Sequence, residues 1–583
     1  MKTCDSPLSR KYCHLKLAWP TLILLTATLT ACGGGGSSDK DLSQLNDRST
    51  SARATVLPAG DTDCPQGGIL VETGIDENGN GQLDDSEVDS SEKLCNGQNG
   101  SNALIDFEDE PAGANCPYGG MRIKTGLDSN GNGILDDSEI SENRYVCSLV
   151  DSNMGWQVPS PVETSISALN FTPMATADSK GNMQVVWLHR DNQNLDEISF
   201  QSRRLMAGSG WSSVETLETL TDPGTMEGLA FAGNSTGTNM LVWSISNGSH
   251  RSIFARLYHP VSGWADSKLI ETDDQQSAEK PQVAVDASNR AMVIWEQYQG
   301  IGDQRSIWYN RYLPGSEWGT AQELASPVDQ GQSRNPRLAM DNDGNAMAIW
   351  NQWDGSKLDL WFREYRANDG WQPAALMEHR DENIVPLKTS LAMNSGGIAV
   401  ASWMHSNGPQ TQDSIWVNIY RAGSGWENET QIGSAAALNI DSPYSAVDHA
   451  GNAFVVWTQD DGYGHRVWFS RYEPASGWSN AEKLPGQSYA DASDAKVYFD
   501  DDGNAMAVWT LSDGASRRIW ASRFLPGQGW STPSLASLEY PSFADQAKLV
   551  FDPDGNAAVF FMQWGNGTGE LESNIYYNRW VAP

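Results

Sequence analysis

One phrase recurs eight times between Asp178 and Phe561: Asp or Asn, two residues, a Gly-Asn-Ala-like step, then an apolar run ending on an aromatic nine positions after the acid or amide. The pairs are Asp178/Trp187, Asn234/Trp243, Asp286/Trp295, Asp341/Trp350, Asn394/Trp403, Asp448/Trp457, Asp500/Trp509 and Asp552/Phe561, a period of about 54 residues. A unit of that size cannot bury a core alone, so its copies must pack on one another as an array.

Within one unit, Pro336–Asp341, Asn345–Trp350, Leu358–Arg366 and Trp371–Glu378 read as four short strands, the content of a propeller blade. The second strand is almost wholly apolar, as in Ala453–Trp457, which suits a strand covered on both faces. A second marker, Gly-Trp or a near variant, opens the fourth strand at Trp156, Trp211, Trp264, Trp318, Trp371, Trp426, Trp478 and Trp530. It is displaced: Trp156 precedes the first box, and the last repeat ends without a marker. These spacings predict a mainly β chain whose residues 153–583 form an eight-bladed β-propeller, the Trp156 segment supplying the outer strand that closes the last blade. Trp308, Trp361, Trp416, Trp468 and Trp520 recur in the third strand, so 20 of the 24 Trp sit at repeating positions and are assigned to packing. The box Asp is expected to cap its own turn, with Gly, or Asn289 in one copy, in a left-handed slot.

The first residues carry Lys2, Arg10, Lys11 and Lys16, an apolar stretch from Leu17 to Leu29, and Leu29-Thr30-Ala31-Cys32, which reads as an export signal over 1–31. The ending resembles the lipobox of bacterial lipoproteins. That resemblance implies acylation of Cys32, an outer-membrane anchor (Gly33 follows rather than Asp), and a flexible tether over 32–60. An ordinary cleaved signal peptide is the alternative. The tether would span roughly 30 Å as a random coil.

Four further cysteines fall into two pairs of equal spacing, Cys64/Cys95 and Cys116/Cys147. An even count in an exported chain implies disulfides, and the duplicated spacing selects these partners. Each pair encloses a twelve-residue loop: Asp76 to Glu87 and Asp128 to Glu139. Both follow the oxygen-donor grammar of an EF-hand loop, with Gly81 and Gly133 at the sharp turn. Two Ca2+ ions are expected, one on Asp76, Asn78, Asn80, Gln82 (carbonyl), Asp84 and Glu87, the other on Asp128, Asn130, Asn132, Ile134 (carbonyl), Asp136 and Glu139. Asn at two ligand positions lowers the site charge and predicts a Kd on the order of 10⁻⁴ to 10⁻³ M. A solvated acidic turn without metal is the alternative. The flanks read as short strands rather than an entering helix, giving modules at 61–99 and 100–150. They resemble a small bacterial surface repeat of the Cys-x-x-Gly-Gly, Asp-x-Asn-x-Asn-Gly-x-Leu-Asp-x-x-Glu, Cys type.

A net charge of −35 with no basic cluster makes nucleic acid a poor partner and leaves the membrane to the lipid anchor alone. The boxes loosely resemble the Asp boxes of sialidase-type propellers. The arginine triad and the Tyr/Glu nucleophile pair of those enzymes are not legible here, and residues 153–583 contain no Cys for the vicinal pair expected of eight-bladed quinoproteins. No catalytic residue is assigned. Loops following the second strands are expected to offer His189, Gln297, Gln352, Trp353, His405, Gln459, Gln563 and Trp564, a set suited to a glycan or protein ligand. The reading is a monomeric, calcium-binding surface lipoprotein that presents a propeller for recognition. The alternatives are a polysaccharide-active enzyme using carboxylates such as Asp460 or Asp513, and a structural component of an outer-membrane assembly.

Overall fold

The computed structural model describes residues 50–75, 83–97, 101–110, 120–147, 155–163, 168–191, 197–221, 226–246, 248–272, 276–300, 304–326, 332–353, 356–378, 385–406, 413–433, 439–487, 490–538, 543–564 and 572–582. It divides into two units, Met1–Met154 and Gly155–Ala582.

The first unit holds two antiparallel three-stranded sheets: β1 (Thr50–Leu57), β2 (Gly68–Ile75) and β3 (Val88–Cys95), then β4 (Ala103–Glu110), β5 (Gly120–Leu127) and β6 (Ile140–Cys147). β1 corrects the sequence-based boundary. Thr50–Leu57, assigned to the tether, pairs residue for residue with β2, from Thr50 opposite Ile75 to Leu57 opposite Gly68. Cys64 and Cys95 form the expected disulfide, with Cα atoms 5.0 Å apart. The two sheets face each other through equivalent residues. Val71 and Ile123, Thr73 and Thr125, and Glu92 and Arg144, each pair offset by the repeat length, line one small cavity. Glu92 and Arg144 pair with each other at 2.6 Å, the pattern a two-fold contact produces.

The second unit is a series of antiparallel meanders. Among the described residues there are eight, beginning with Ala168–Ala177, Met183–Asp191 and Glu197–Met206, and ending with Phe543–Phe551, Ala557–Trp564 and Ser573–Val581. In six meanders the third strand is followed by two short pieces, for example Gly370–Trp371 and Ala375–Leu376, both paired with Leu358–Arg366, and in the first the second piece lengthens to Glu215–Thr221. The last meander takes these pieces from the N-terminal side: Gly155–Trp156 and Ser160–Pro161 pair with Ser573–Val581. First strands lie beside the first strands of their neighbours throughout, and Phe543–Phe551 also lies beside Ala168–Ala177.

Packing between neighbours explains the apolar second strands. Met506 and Val508 of the seventh meander meet Leu549, Val559 and Phe561 of the eighth, while Phe560 and Ile575 of the eighth meet Met183, Val185 and Trp187 of the first. The box aromatics Trp187 through Trp509 and Phe561 are all buried. At the other end of each apolar run the box residue closes its turn as the sequence implies. Asp500 Oδ1 accepts from the amides of Asp502 and Asn504, and Asn394 Oδ1 from those of Gly396 and Ile398. The slot is left-handed, with φ 79° at Gly503 and 63° at Asn289.

One recurrent feature is marked in the sequence only by Pro173, Pro281, Pro336 and Pro443, in four of its eight copies. Each first strand shifts register near its middle, as between Glu279 and Gln282 or Asp545 and Lys548. The extra residue is left-handed in seven of the eight, including Thr172, Lys280, Asn335, Lys388, Asp494 and Gln546. These bulges bond across meanders: Thr172 N donates to Gln546 Oε1 at 2.8 Å, Arg337 Nε to Thr389 O at 2.9 Å, and Lys496 Nζ to Ala547 O at 3.1 Å. Bulge geometry thus serves side-to-side contact.

Candidate calcium loop and ligand face

Of the first loop, Asp76, Asn78, Asn80 and Gln82 lie outside the described residues, as do Cys32 and Cys116. Asp84 N donates to Glu87 Oε2 at 3.0 Å. Gly74 and Gly126 hold the position-twelve residues in place, since a Cβ on either would overlap the backbone oxygen of Glu87 or Glu139.

The second loop is described in full and its donors converge. Asp128 is buried and accepts from the amides of Gly131 and Asn132 on Oδ1, and from Gly133 on Oδ2. Glu139 accepts from Ser129 (amide and hydroxyl) and Asn130 on Oε1, and from Asp136 N on Oε2. The Ser129 hydroxyl is the leading cause of its depressed pKa. The side chains of Asn130 and Asn132 both reach Asp136 Oδ2, at 2.8 and 2.9 Å. Their Oδ1 atoms accept from the amides of Asn132 and Ile134, at 2.9 and 2.7 Å, so both side-chain amides are held between the loop backbone and Asp136. Ile134 is exposed at the loop's outer side. Among the described residues no group of three or more His, Cys, Asp and Glu is placed to hold a metal. Amides supply part of this loop's donor set.

In the meanders, the residues predicted on exposed loops are mostly internal. Gln297, Gln352, His405, Gln459 and Gln563 lie within second strands and are buried. This corrects the loop placement, and the reason is specific. Each follows the buried box aromatic by two residues, on the same face of the strand, and where that aromatic is Trp its indole N–H needs an acceptor. Trp295 donates to Gln297 Oε1 at 2.9 Å, Trp350 to Gln352 and Trp457 to Gln459 at 3.1 Å, and Trp403 to His405 Nε2 at 2.7 Å. In the first meander Asn170 takes this role, accepting from Trp187 and contacting His189 Nδ1; burial pushes the His189 imidazole down. Trp564 packs edge-on against Phe171. Trp353 alone of the set is exposed, at 38%.

Trp353 has company. The exposed aromatics among the described residues of this unit are Trp353, Tyr463 and Phe543. Trp353 ends a second strand, Tyr463 lies in the hairpin between Ala453–Asp460 and His465–Glu473, and Phe543 begins a first strand opposite Trp564. All three belong to the end of the meanders away from the boxes. Asp460 and Asp513 sit at the same end but serve turns. Asp460 Oδ1 accepts from Gly462 N, and Asp513 accepts from the amides of Ala515 and Ser516 and from the Ser516 hydroxyl. Burial raises the Asp513 pKa, but the Ser516 hydroxyl and these amides outweigh it and hold the carboxyl below its ordinary range.

Sequence reasoning missed a set of buried carboxylates at this end. Glu163 and Glu378 each stand where the short outer strand leaves the sheet and accept the third-strand amide it abandons, Ile575 N at 2.7 Å and Leu360 N at 2.8 Å. Burial pushes the Glu163 carboxyl up to about 8. A signal existed: Glu follows Trp156, Trp264 and Trp371 by seven residues each time.

Residues 50–95 and 102–147 match a family described as a domain of unknown function (DUF7151), two copies that coincide with the two sheets of the first unit. No curated protein matches the chain. Propeller folds appear among similar solved structures. The polysaccharide lyase Uly1 aligns at 11% identity over 60% of this chain and 89% of its own, with a TM-score of 0.41. A PL25 ulvan lyase aligns at 9%, over 60% and 92%, with 0.42. The six-bladed fucose lectin of Aleuria aurantia aligns at 12%, over 55% and 97%, with 0.31. Identities this low transfer no residue roles.

Proposed function

We propose that the chain is an exported lipoprotein, anchored in the outer membrane through Cys32, whose paired modules each bind Ca2+ and whose residues 153–583 form a closed eight-bladed β-propeller that recognises glycans. Closure is supported by the pairing of Gly155–Trp156 and Ser160–Pro161 with Ser573–Val581, and by the contact between the first strands of the first and last meanders. Calcium binding is supported by the converging donors around Asp128, Asp136 and Glu139.

The observation that carries the ligand assignment is that Trp353, Tyr463 and Phe543, the exposed aromatics among the described residues of this unit, all lie at the same end of their meanders. Exposed aromatic faces stack on the apolar faces of sugar rings, and the Trp N–H and Tyr O–H tolerate water. At the box end the exposed large apolar residues are aliphatic, Met206, Val261 and Leu313. The test is a screen of the full chain, with calcium, against polysaccharides and glycans, read together with release of sugar. Retention of a polymer without release supports recognition. Release of sugar replaces it with catalysis, and retention of no glycan refutes it.

A further inference from the structure

Lys280 and Asn335 are the left-handed bulge residues of two adjacent first strands, Ala278–Val285 and Gln332–Met340, with φ of 53° and 54°. Lys280 Nζ lies 3.2 Å from Asn335 Oδ1 and 3.0 Å from Glu296 Oε1. Glu296 is fully buried at the carboxylate. Its Oε2 is held by Arg305 Nη1 at 2.6 Å, and its Oε1 also accepts the Asn335 backbone amide at 2.7 Å. Asn335 Nδ2 donates to Asn351 Oδ1 at 3.3 Å, and Asn351 is itself fixed by Pro386 O at 3.0 Å. An amine, a carboxamide and a buried carboxylate touching both residues are therefore set in one orientation by the strands that carry them.

We propose that Lys280 and Asn335 join through an intramolecular isopeptide bond. The Lys280 ammonium gives a proton to Glu296 Oε1, and Nζ attacks Cγ of Asn335. Nδ2 takes that proton from Glu296 and a second from Nζ as the Cγ–Nδ2 bond breaks. The products are the Nζ–Cγ amide and one ammonium ion, so charge and atoms balance with no oxidant or external reagent. Lys280 is 42% exposed, which gives the leaving ammonium a path to water. The reaction need occur only once per chain, and groups held this way react at effective molarities far above any solution concentration. The bond would tie two first strands 55 residues apart, in a part of the chain that has no Cys for a disulfide.

The protein contains its own control. Lys388 occupies the same bulge position two meanders on and contacts Asp441 across the boundary, but Met404 stands where Glu296 stands in the third meander. Without the buried carboxylate that pair remains an ion pair.

The experiment is peptide mapping of the full chain by tandem mass spectrometry. The expected result is a branched peptide joining Lys280 to Asn335, lighter by one ammonia than its two linear parts, with Lys388 unmodified. Glu296→Gln and Lys280→Arg, each checked for an unchanged circular dichroism spectrum, should yield only linear peptides. Linear peptides carrying intact Lys280 and Asn335 as the main species from the unsubstituted chain would overturn the proposal.

Discussion

Trp457 donates its indole N–H to Gln459, two residues further along the same strand, at 3.1 Å. The same geometry joins Trp295 to Gln297 and Trp350 to Gln352. His405 and Asn170 take the same role for Trp403 and Trp187, but where no polar partner stands in reach the bond is lost. Trp243 and Trp509 are followed at that position by Ile245 and Leu511, and their indole N–H groups are buried without an acceptor. Phe561 has no N–H to give, and Gln563 Oε1 is the orphan.

Leu511→Gln is therefore expected to stabilise the second unit by about 1 kcal/mol, and Gln459→Leu to destabilise it by roughly 1–3 kcal/mol, because a buried unmade bond costs more than a made one contributes. Denaturant midpoints of the full chain check both. A loss of stability in Leu511→Gln would show that the slot is set by volume rather than by the indole.

Repeats were legible because they are periodic: the boxes, the Gly-Trp markers and the twelve-residue loops announce themselves by spacing. Thr50–Leu57 was hidden by its small and polar composition, which reads as a tether until a partner strand is present. Gln297, Gln352 and Gln459 were misplaced because a glutamine at the end of an apolar run looks like the first residue of a loop. Only the structure shows the indole that draws it inward. The strand bulges at Lys280 and Asn335 are marked only by the Pro that follows each, Pro281 and Pro336, which reads equally well as the start of a strand, and no Gly announces the left-handed geometry.

Glu163 gives the last meander a pH dependence. Its carboxyl titrates at about 8 in the fold against an ordinary 4.5, so the fold favours the protonated form. That contribution is complete below about pH 4.5 and is lost as pH rises toward about 8, on the order of a few kcal/mol. Arg203 opposes the shift, and Tyr576 and, through Asn170, His189 complete the titratable surroundings. Glu163→Gln keeps an acceptor for Ile575 N and removes the proton. Melting temperatures measured from pH 5 to about 8.5 should fall less steeply in the variant. Parallel profiles would assign the pH dependence elsewhere.

Gly228 sits at the bulge of the second meander with φ 104°, and a Cβ there would stand 2.9 Å from Pro281 Cδ and 3.1 Å from Lys280 Cα. Gly228→Ala combines that clash with a strained backbone and is expected to cost roughly 1–3 kcal/mol. Gly248→Ala, at φ 94° with open space around it, should cost less. Equal losses would assign the penalty to φ alone.

Calcium should stabilise the first unit. With a Kd on the order of 10⁻⁴ to 10⁻³ M, about 10 mM calcium adds roughly 1.4–2.7 kcal/mol per site. Calorimetry of the full chain in EDTA and in calcium should show one transition move upward, and Asp128→Ala should remove part of the movement. An identical trace in both conditions contradicts calcium loops.

The proposed sugar-binding surface is the end of the meanders that bears Trp353, Tyr463 and Phe543. Its most direct test is the affinity of Trp353→Ala and Tyr463→Ala, beside Met206→Ala from the opposite end, for the polysaccharide that the full chain retains. Loss of one stacking aromatic is expected to weaken binding about 5- to 30-fold, the equivalent of roughly 1–2 kcal/mol, with Met206→Ala unchanged. Unaltered affinity in both aromatic variants, or an equal loss in Met206→Ala, would contradict it.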